Sequence, residues 1–371
     1  MKVCTITCHD VYNHGAAMQA YALMKYLKNN GYEVEIIDYK PDYLSNHYKL
    51  FSINNEKWDK SILRRFIYLS FKITLRLISL KRKKSFDKFK EENLVITKKR
   101  YYSNEELKKD IPKADVYICG SDQIWNSLHM NGRDLAFYLD FVPNNKVKFS
   151  YAASFATDDI DRKYKTMVKN AISKLDGVGI REKSGVELVK RLGINSAVNV
   201  VDPVFLLEKE DWDKIATEKF KEKYLLVYDF DNSSLIEKIA VEVASKNGLK
   251  IYTINTNRPK YADKCFNLSG PKTFVSLVKN AEFVVSNSFH AVVFSIIYQK
   301  NIAIVNRNEN INTRMRDLLS DLNLEDRLIN NNYDIDFIIK DIDYKSVNNI
   351  LGKKINFSKK FIHLLLETEK R

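Results

Sequence analysis

His290 stands in the stretch SNSFHAVVF, after an apolar run, AEFVV, that reads as a buried strand and before SIIYQ, which reads as helix. It is one of six histidines in the chain, it has Asn287 and Ser288 beside it, and it falls where strand hands over to helix. An imidazole there can change protonation near neutral pH, and the opening amides of the helix favour an anion. Three further strand ends carry equally useful groups. Arg181 follows GVGI directly; a guanidinium is a natural clamp for a carboxylate or phosphate, with a plain ion pair to Glu182 as the bland alternative. After VYICG come Asp122, Gln123, Trp125 and Asn126, a polar and aromatic set suited to a sugar's hydroxyl edges and apolar face. A carboxylate in that place can take a proton from an attacking hydroxyl, although Ser121 or Asp122 would also serve as a helix cap. After KVCTITC, the loop HDVYNHG brings Asn13 and Gly15: the glycine permits close backbone approach and the amides beyond it suit an anion, unless Asn13 is only a cap. The glycines fall short of a dinucleotide or phosphate-loop fingerprint. Together the four strand ends describe a cleft in which His290 faces an anionic ligand.

The elements that would position these groups alternate regularly. KVCTITC, a helix over AAMQAYALMKYLKNNG and the strand EVEIIDY form a βαβ unit, closed by Gly31 and Pro41. The alternation resumes with ADVYICG, KVKFSYAAS, GVGIRE and AVNVVDP, with helices near 160–175 and 184–192. A second series follows: KYLLVYDF, LKIYTIN, AEFVVSN and NIAIVN, with helices over 233–247, 271–280 and 289–299. The expected fold is α/β, two doubly wound Rossmann-like domains facing a cleft, in which ligands sit beyond the carboxyl ends of the strands. The first domain covers 1–204 with a basic, helical insertion at about 42–110, the second covers 205–335, and helical patterns at 336–350 and 356–370 finish the chain.

The 371 residues suffice for two cores, and 45% hydrophobic content is ordinary for a globular protein. The first residues lack a signal-peptide pattern and no apolar run is long enough to span a bilayer, so a cytoplasmic protein is expected. The four cysteines make no CxxC pair and no zinc spacing, so neither a metal nor a disulfide is expected. The net charge of +14 is concentrated: residues 60–100 hold 14 Lys/Arg against Asp87, Glu91 and Glu92, a surplus of 11. Such a block asks for an anionic partner. Within it Arg65, Tyr68, Lys72, Arg76, Ser79 and Lys83 recur at helical steps beside an apolar surface. That is the pattern of a helix lying on an anionic membrane, with burial against the fold as the alternative. Peripheral attachment to the inner face of the membrane is therefore expected, and no nucleic acid, since no binding motif for one is present.

The ordered set NHGAAMQAYAL, GYEVEIIDYKP, CGSDQIWN, SYAASF, GIREKS, VVDPVFLLEKEDW and SNSFHAVVFS resembles the polysaccharide pyruvyl transferase family from about residue 3 to residue 325. The resemblance implies an architecture similar to the GT-B glycosyltransferases and transfer of the pyruvyl group of phosphoenolpyruvate to a sugar as a ketal, releasing phosphate. It also implies a lipid-linked polysaccharide precursor as acceptor, as in capsule or exopolysaccharide biosynthesis, with no cofactor. By the same resemblance His290 and Arg181 surround the donor, together with Ser288 and Asn287, and Asp122 belongs to the reacting site. His290 is then the acid and Asp122 the base, while Asn13, Gly15, Gln123, Trp125 and Asn126 line the acceptor side or the cleft. The chain departs from the family's usual NYGA, ASFG and DSFHG with NHGA, ASFA and NSFHA, so His14 and Asn287 bear on acceptor preference more than on reaction type. Two other functions fit some of these features: a GT-B-like glycosyltransferase using a nucleotide-sugar, and a non-catalytic nucleic-acid- or membrane-binding protein built on the basic block.

Overall fold

The computed structural model describes residues 1–44, 62–255, 257–309 and 311–368; the side chains of 62–76 and 78 lie outside that description. Seven parallel strands build the first sheet: β1 (Lys2–Ile6), β2 (Glu33–Tyr39), β3 (Ile96–Tyr101), β4 (Val116–Cys119), β5 (Val147–Ala153), β6 (Gly177–Ile180) and β7 (Ala197–Asn199). Their order is β3-β2-β1-β4-β5-β6-β7. Five more parallel strands, β8 (Tyr224–Tyr228), β9 (Lys250–Thr253), β10 (Lys264–Cys265), β11 (Phe283–Ser286) and β12 (Asn301–Ile304), form a second sheet in the order β10-β9-β8-β11-β12. VYIC, YLLVY and FVVS are buried at every position, as strands covered by helices on both faces must be.

Among the described residues the α-helices are α1 (His14–Asn29), α2 (Ile62–Asn93), α3 (Asn104–Lys109), α4 (Lys165–Ile172), α5 (Lys183–Arg191), α6 (Lys209–Asp213) and α7 (Ser234–Asn247). They continue with α8 (Pro271–Asn280), α9 (Phe289–Ile297), α10 (Thr313–Asp321), α11 (Ile335–Ile338) and α12 (Tyr344–Thr368). In each sheet the strand order turns about one point, between β1 and β4 and between β8 and β11. A doubly wound sheet opens its ligand crevice there. Helix α1 packs on α8 and α9, and the Trp212 ring lies 5.7 Å from Tyr21 and 4.8 Å from Phe294, so an apolar seam closes the floor between the two sheets.

Two details differ from the sequence reading. The segment 42–110 is not helical throughout: ITKKRY forms β3, hydrogen-bonded through its neighbour Val95, whose carbonyl accepts from Ile36 N at 2.8 Å. Three consecutive basic residues hid its alternation, and an edge strand tolerates them because one side faces solvent. The two C-terminal helical patterns merge from Tyr344 onward into one helix, α12, which returns to the first sheet, while the start of the first pattern falls in the short α11. There Phe361 meets Phe149 at 6.1 Å, Ser358 Oγ accepts from Val201 N at 2.9 Å, and Leu365 fills the space a side chain on Gly177 would need.

The basic helix α2 is anchored at its C-terminal half. Phe86 and Phe89 are buried, Tyr12 and Lys83 both donate to Asp87, and Lys272 of the second domain pairs with Glu92 at 2.7 Å. Lys83 therefore turns to the body of the protein, whereas Leu77, Lys81 and Lys84 are exposed. The side chains of Arg65, Tyr68, Lys72 and Arg76, on which the expected basic face rests, lie outside the described residues. Among the described residues no helix is long and apolar enough to cross a membrane.

Candidate active site

Two helix N-termini from opposite domains meet at the cleft. Asn13 caps α1, its Oδ1 accepting from Ala16 N at 3.2 Å, and Ser288 caps α9, its Oγ accepting from Ala291 N at 3.4 Å. Between them the fit is close enough to require glycine: a Cβ on Gly15 would lie 1.9 Å from His290 Nδ1. Both termini carry the partial positive charge that favours an anion.

Arg181 leaves β6 straight into this floor. Its Nη1 donates to Asp202 Oδ2 at 2.8 Å and to Ser121 Oγ at 3.3 Å, and His290 Nε2 stands 3.5 Å from the same Asp202 oxygen. Asp202 is buried at the end of the linker from β7, where its other oxygen accepts from Val204 N at 3.0 Å. Burial alone would raise the Asp202 carboxyl, but His290 and then Arg181 outweigh it and hold the group well below the usual carboxylate range. One carboxylate thus fixes both the guanidinium and the imidazole. Arg181 Nε and Nη2 and His290 Nε2 have no hydrogen-bond partner among the described residues, although all three atoms are buried. Beside the cavity, buried donors of that kind are open to a polar ligand or an ordered water.

Asp122 sits opposite. Its backbone takes φ 76, a conformation costly for a residue with a side chain, and it is held there because its carbonyl accepts from Ser154 N at 3.0 Å and Ile124 N at 2.7 Å. The carboxylate accepts from Gln123 N at 2.9 Å and lies 3.7 Å from Arg181 Nη2 and 3.6 Å from Arg314 Nη1. Arg314, in the first turn of α10, is buried with its Nε unpartnered among the described residues. Burial first, and the nearby Arg181 charge second, bring its guanidinium down to about 10. Asn13, Asp122, Gln123, Ser288, His290 and Arg314 line a cavity of about 120 Å³.

The structure therefore brings Asn13, Gly15, Asp122, Gln123, Arg181, Ser288 and His290 together, and corrects the rest. Trp125 is fully buried, donates from Nε1 to Phe137 O at 3.0 Å and stacks on Tyr138 at 5.3 Å, so it offers no face to a sugar. Asn126 is also buried, spending its amide on Gln123 Oε1 and its carbonyl on Leu128 N. Phe230, 40% exposed, and the more buried Phe289 are apolar rings that do line the cleft. Asn287 borders the cavity, but its side chain binds Asp229 Oδ1 at 2.7 Å and accepts from Phe230 N at 3.0 Å, so it orders the loop after β8 rather than a ligand. His14 is buried at the domain seam between Tyr228 Oη at 3.1 Å and Ser269 O at 3.3 Å, and burial followed by the Arg82 charge pulls it down to about 3. It does not face the cleft.

Sequence reasoning missed Asp202 and Arg314 as site residues. Asp202 ends the run AVNVVDP and was open to the same strand-end rule that found the others. Arg314 follows no strand directly and reaches the site only because α10 folds back against the first domain, where Ser184 N donates to Asp317 Oδ2 at 2.7 Å.

The arrangement has structural relatives. UDP-GlcNAc 2-epimerase of Methanocaldococcus jannaschii superposes with a TM-score of 0.50 at 14% identity, covering 99% of both chains. The Neisseria meningitidis enzyme of that name gives 0.51 at 12%, covering 99% of this chain and 100% of the other. The one from Rickettsia bellii gives 0.52 at 11%, covering 100% and 97%. At these identities the likeness is one of fold, the two-domain GT-B architecture. No curated protein matches the sequence. The sequence profile of the polysaccharide pyruvyl transferases matches residues 13–309, which takes in Asn13, Asp122, Arg181, Asp202 and His290. Spanning most of the chain and every strand-end group of the cleft, that match makes the protein a member of the polysaccharide pyruvyl transferase family.

Proposed function

We propose that the protein moves the pyruvyl group of phosphoenolpyruvate onto a sugar as a ketal and releases inorganic phosphate. The observation that carries this reading is the gathering, between two helix N-termini, of buried donors of Arg181, Arg314 and His290 that have no hydrogen-bond partner among the described residues. A ligand with both a carboxylate and a phosphate matches that many positive groups. His290, steadied by Asp202, gives a proton to the methylene carbon, which becomes the methyl group. A sugar hydroxyl adds to the oxocarbenium-like carbon as Asp122 takes its proton. The bond from that carbon to the phosphate oxygen then breaks, phosphate leaves, and a second hydroxyl closes the ketal. Of the two hydroxyl protons, one restores the acid and the other leaves with phosphate. Phosphate release from phosphoenolpyruvate that depends on an added glycoside supports this; release of a nucleoside diphosphate from a nucleotide-sugar would replace it with glycosyl transfer.

We infer further that the acceptor is lipid-linked and that α2 docks on an anionic membrane surface. The charge surplus of 11 over residues 60–100 and the exposure of Leu77, Lys81 and Lys84 support docking, each basic residue near such a surface contributing roughly 1 kcal/mol.

A further inference from the structure

Arg314 stands outside the family-matched residues 13–309, yet it is buried in the same floor as Arg181. The two guanidiniums approach one ring: Arg181 Cζ lies 4.8 Å and Arg314 Cζ 5.5 Å from the centre of Phe289. They also share one oxygen, Asp122 Oδ1, at 3.7 and 3.6 Å. Those separations are too long for the hydrogen bonds an arginine makes with a carboxylate, which close to about 2.7–2.9 Å. Asp122 thus lies between the two guanidiniums without filling their donors, and among the described residues Arg181 Nε and Nη2 and Arg314 Nε have no hydrogen-bond partner. Arg181 Nη1 keeps its 2.8 Å bond to Asp202, but on the side where Arg181 Nη2 and Arg314 Nη1 meet, the only shared carboxylate among the described residues is the distant Asp122, and a closer carboxylate takes over such a site.

We propose that Arg314 and Arg181 form a clamp for the carboxylate of the donor, and that Asp122 occupies the clamp electrostatically until the donor displaces it. Displacement leaves Asp122 free of its two cationic partners at the moment an acceptor hydroxyl needs a base. Arg314 is then a donor-binding residue, and Asp122 couples donor binding to its own availability as a base. The donor's phosphate is left to the N-termini of α1 and α9.

This rests on phosphoenolpyruvate being the donor, and calorimetric titration of the full chain separates the two ideas. The wild type, Asp122→Asn, Arg314→Gln and the double variant are titrated with phosphoenolpyruvate, with pyruvate and with inorganic phosphate. Removing the internal competitor in Asp122→Asn tightens phosphoenolpyruvate about fivefold, the scale of a modest ion pair. Pyruvate, a carboxylate without phosphate, shares the gain, and inorganic phosphate changes by about twofold or less. Arg314→Gln weakens phosphoenolpyruvate by about tenfold or more, the loss of a charge-assisted hydrogen bond, and cancels the gain from Asp122→Asn in the double variant. Should Arg314→Gln fail to fold, Arg314→Lys replaces it, and Asp122→Asn decides the matter by itself. If the wild type binds phosphoenolpyruvate and Asp122→Asn binds it no more tightly, the exchange is wrong and the donor reading stands. An equal gain for inorganic phosphate would place the clamp on the phosphate instead and overturn the proposal. If the wild type does not bind phosphoenolpyruvate at all, both ideas fall.

Discussion

Gly15 and His290 belong to different domains, and a methyl group on Gly15 would come 1.9 Å from the imidazole Nδ1 and 2.3 Å from its Cγ. The glycine therefore does more than open a helix. It sets how deeply the histidine of α9 can sit against α1, and hence where the imidazole stands relative to Arg181 and Asp202.

Gly15→Ala is expected to displace the imidazole while leaving Arg181 and Arg314 in place. A shift of this size at a reacting group costs on the order of a hundredfold in kcat, with a much smaller change in phosphoenolpyruvate affinity. Steady-state kinetics paired with titration of the donor checks this. A variant that keeps kcat within about twofold would show that the contact is packing alone.

Much of this was legible in the sequence, for a physical reason. Parallel strands buried on both faces read as short apolar runs, so YLLVY and FVVS announce themselves, and in a doubly wound sheet the residue after such a run stands at the ligand crevice. Arg181, Asp122 and His290 were found that way. The same rule says where a residue begins, not which way its side chain turns. Trp125 and Asn126 follow Asp122 closely, yet the positive φ at Asp122 turns the chain and sends both into the core. Arg314 was illegible because no local pattern encodes it: its place depends on α10 packing across the domain seam.

Asp202 ties stability to pH with a definite sign. Its folded-state pKa is depressed, so it contributes stability above its unfolded value, near about 4, and that contribution is lost as pH falls through the acid range. Asp202→Asn leaves Arg181 buried with its closest anion gone, which costs roughly 3–5 kcal/mol at neutral pH. The difference from wild type should narrow steadily below about pH 4. Denaturant unfolding at several pH values measures this, and a gap independent of pH would mean that the carboxylate is not charged in the folded protein.

For the membrane, wild-type protein should sediment with anionic liposomes at low salt and be released at high salt, because exposed charges are screened. Reversing Arg65, Lys72, Arg76, Lys81 and Lys84 to glutamate should abolish sedimentation and spare activity on a water-soluble acceptor. Wild-type protein that stays in the supernatant at low salt assigns the basic helix to the fold.

His290→Gln should bind phosphoenolpyruvate nearly as well as the wild type, since glutamine keeps a polar donor facing the ligand and Asp202. Turnover should fall by about 10²–10⁴, the usual worth of a positioned acid. Near-normal rates in this variant would remove the acid from His290.

The central claim is that a proton reaches the methylene carbon of phosphoenolpyruvate before a sugar hydroxyl captures it. The direct measurement is mass spectrometry of the product formed from phosphoenolpyruvate and a glycoside panel in deuterium oxide, with phosphate assayed in the same tube. The account predicts a pyruvyl ketal whose methyl group carries one solvent deuterium, formed in equal amount with inorganic phosphate. A ketal without solvent deuterium, or an enolpyruvyl ether that keeps its methylene group, would contradict it.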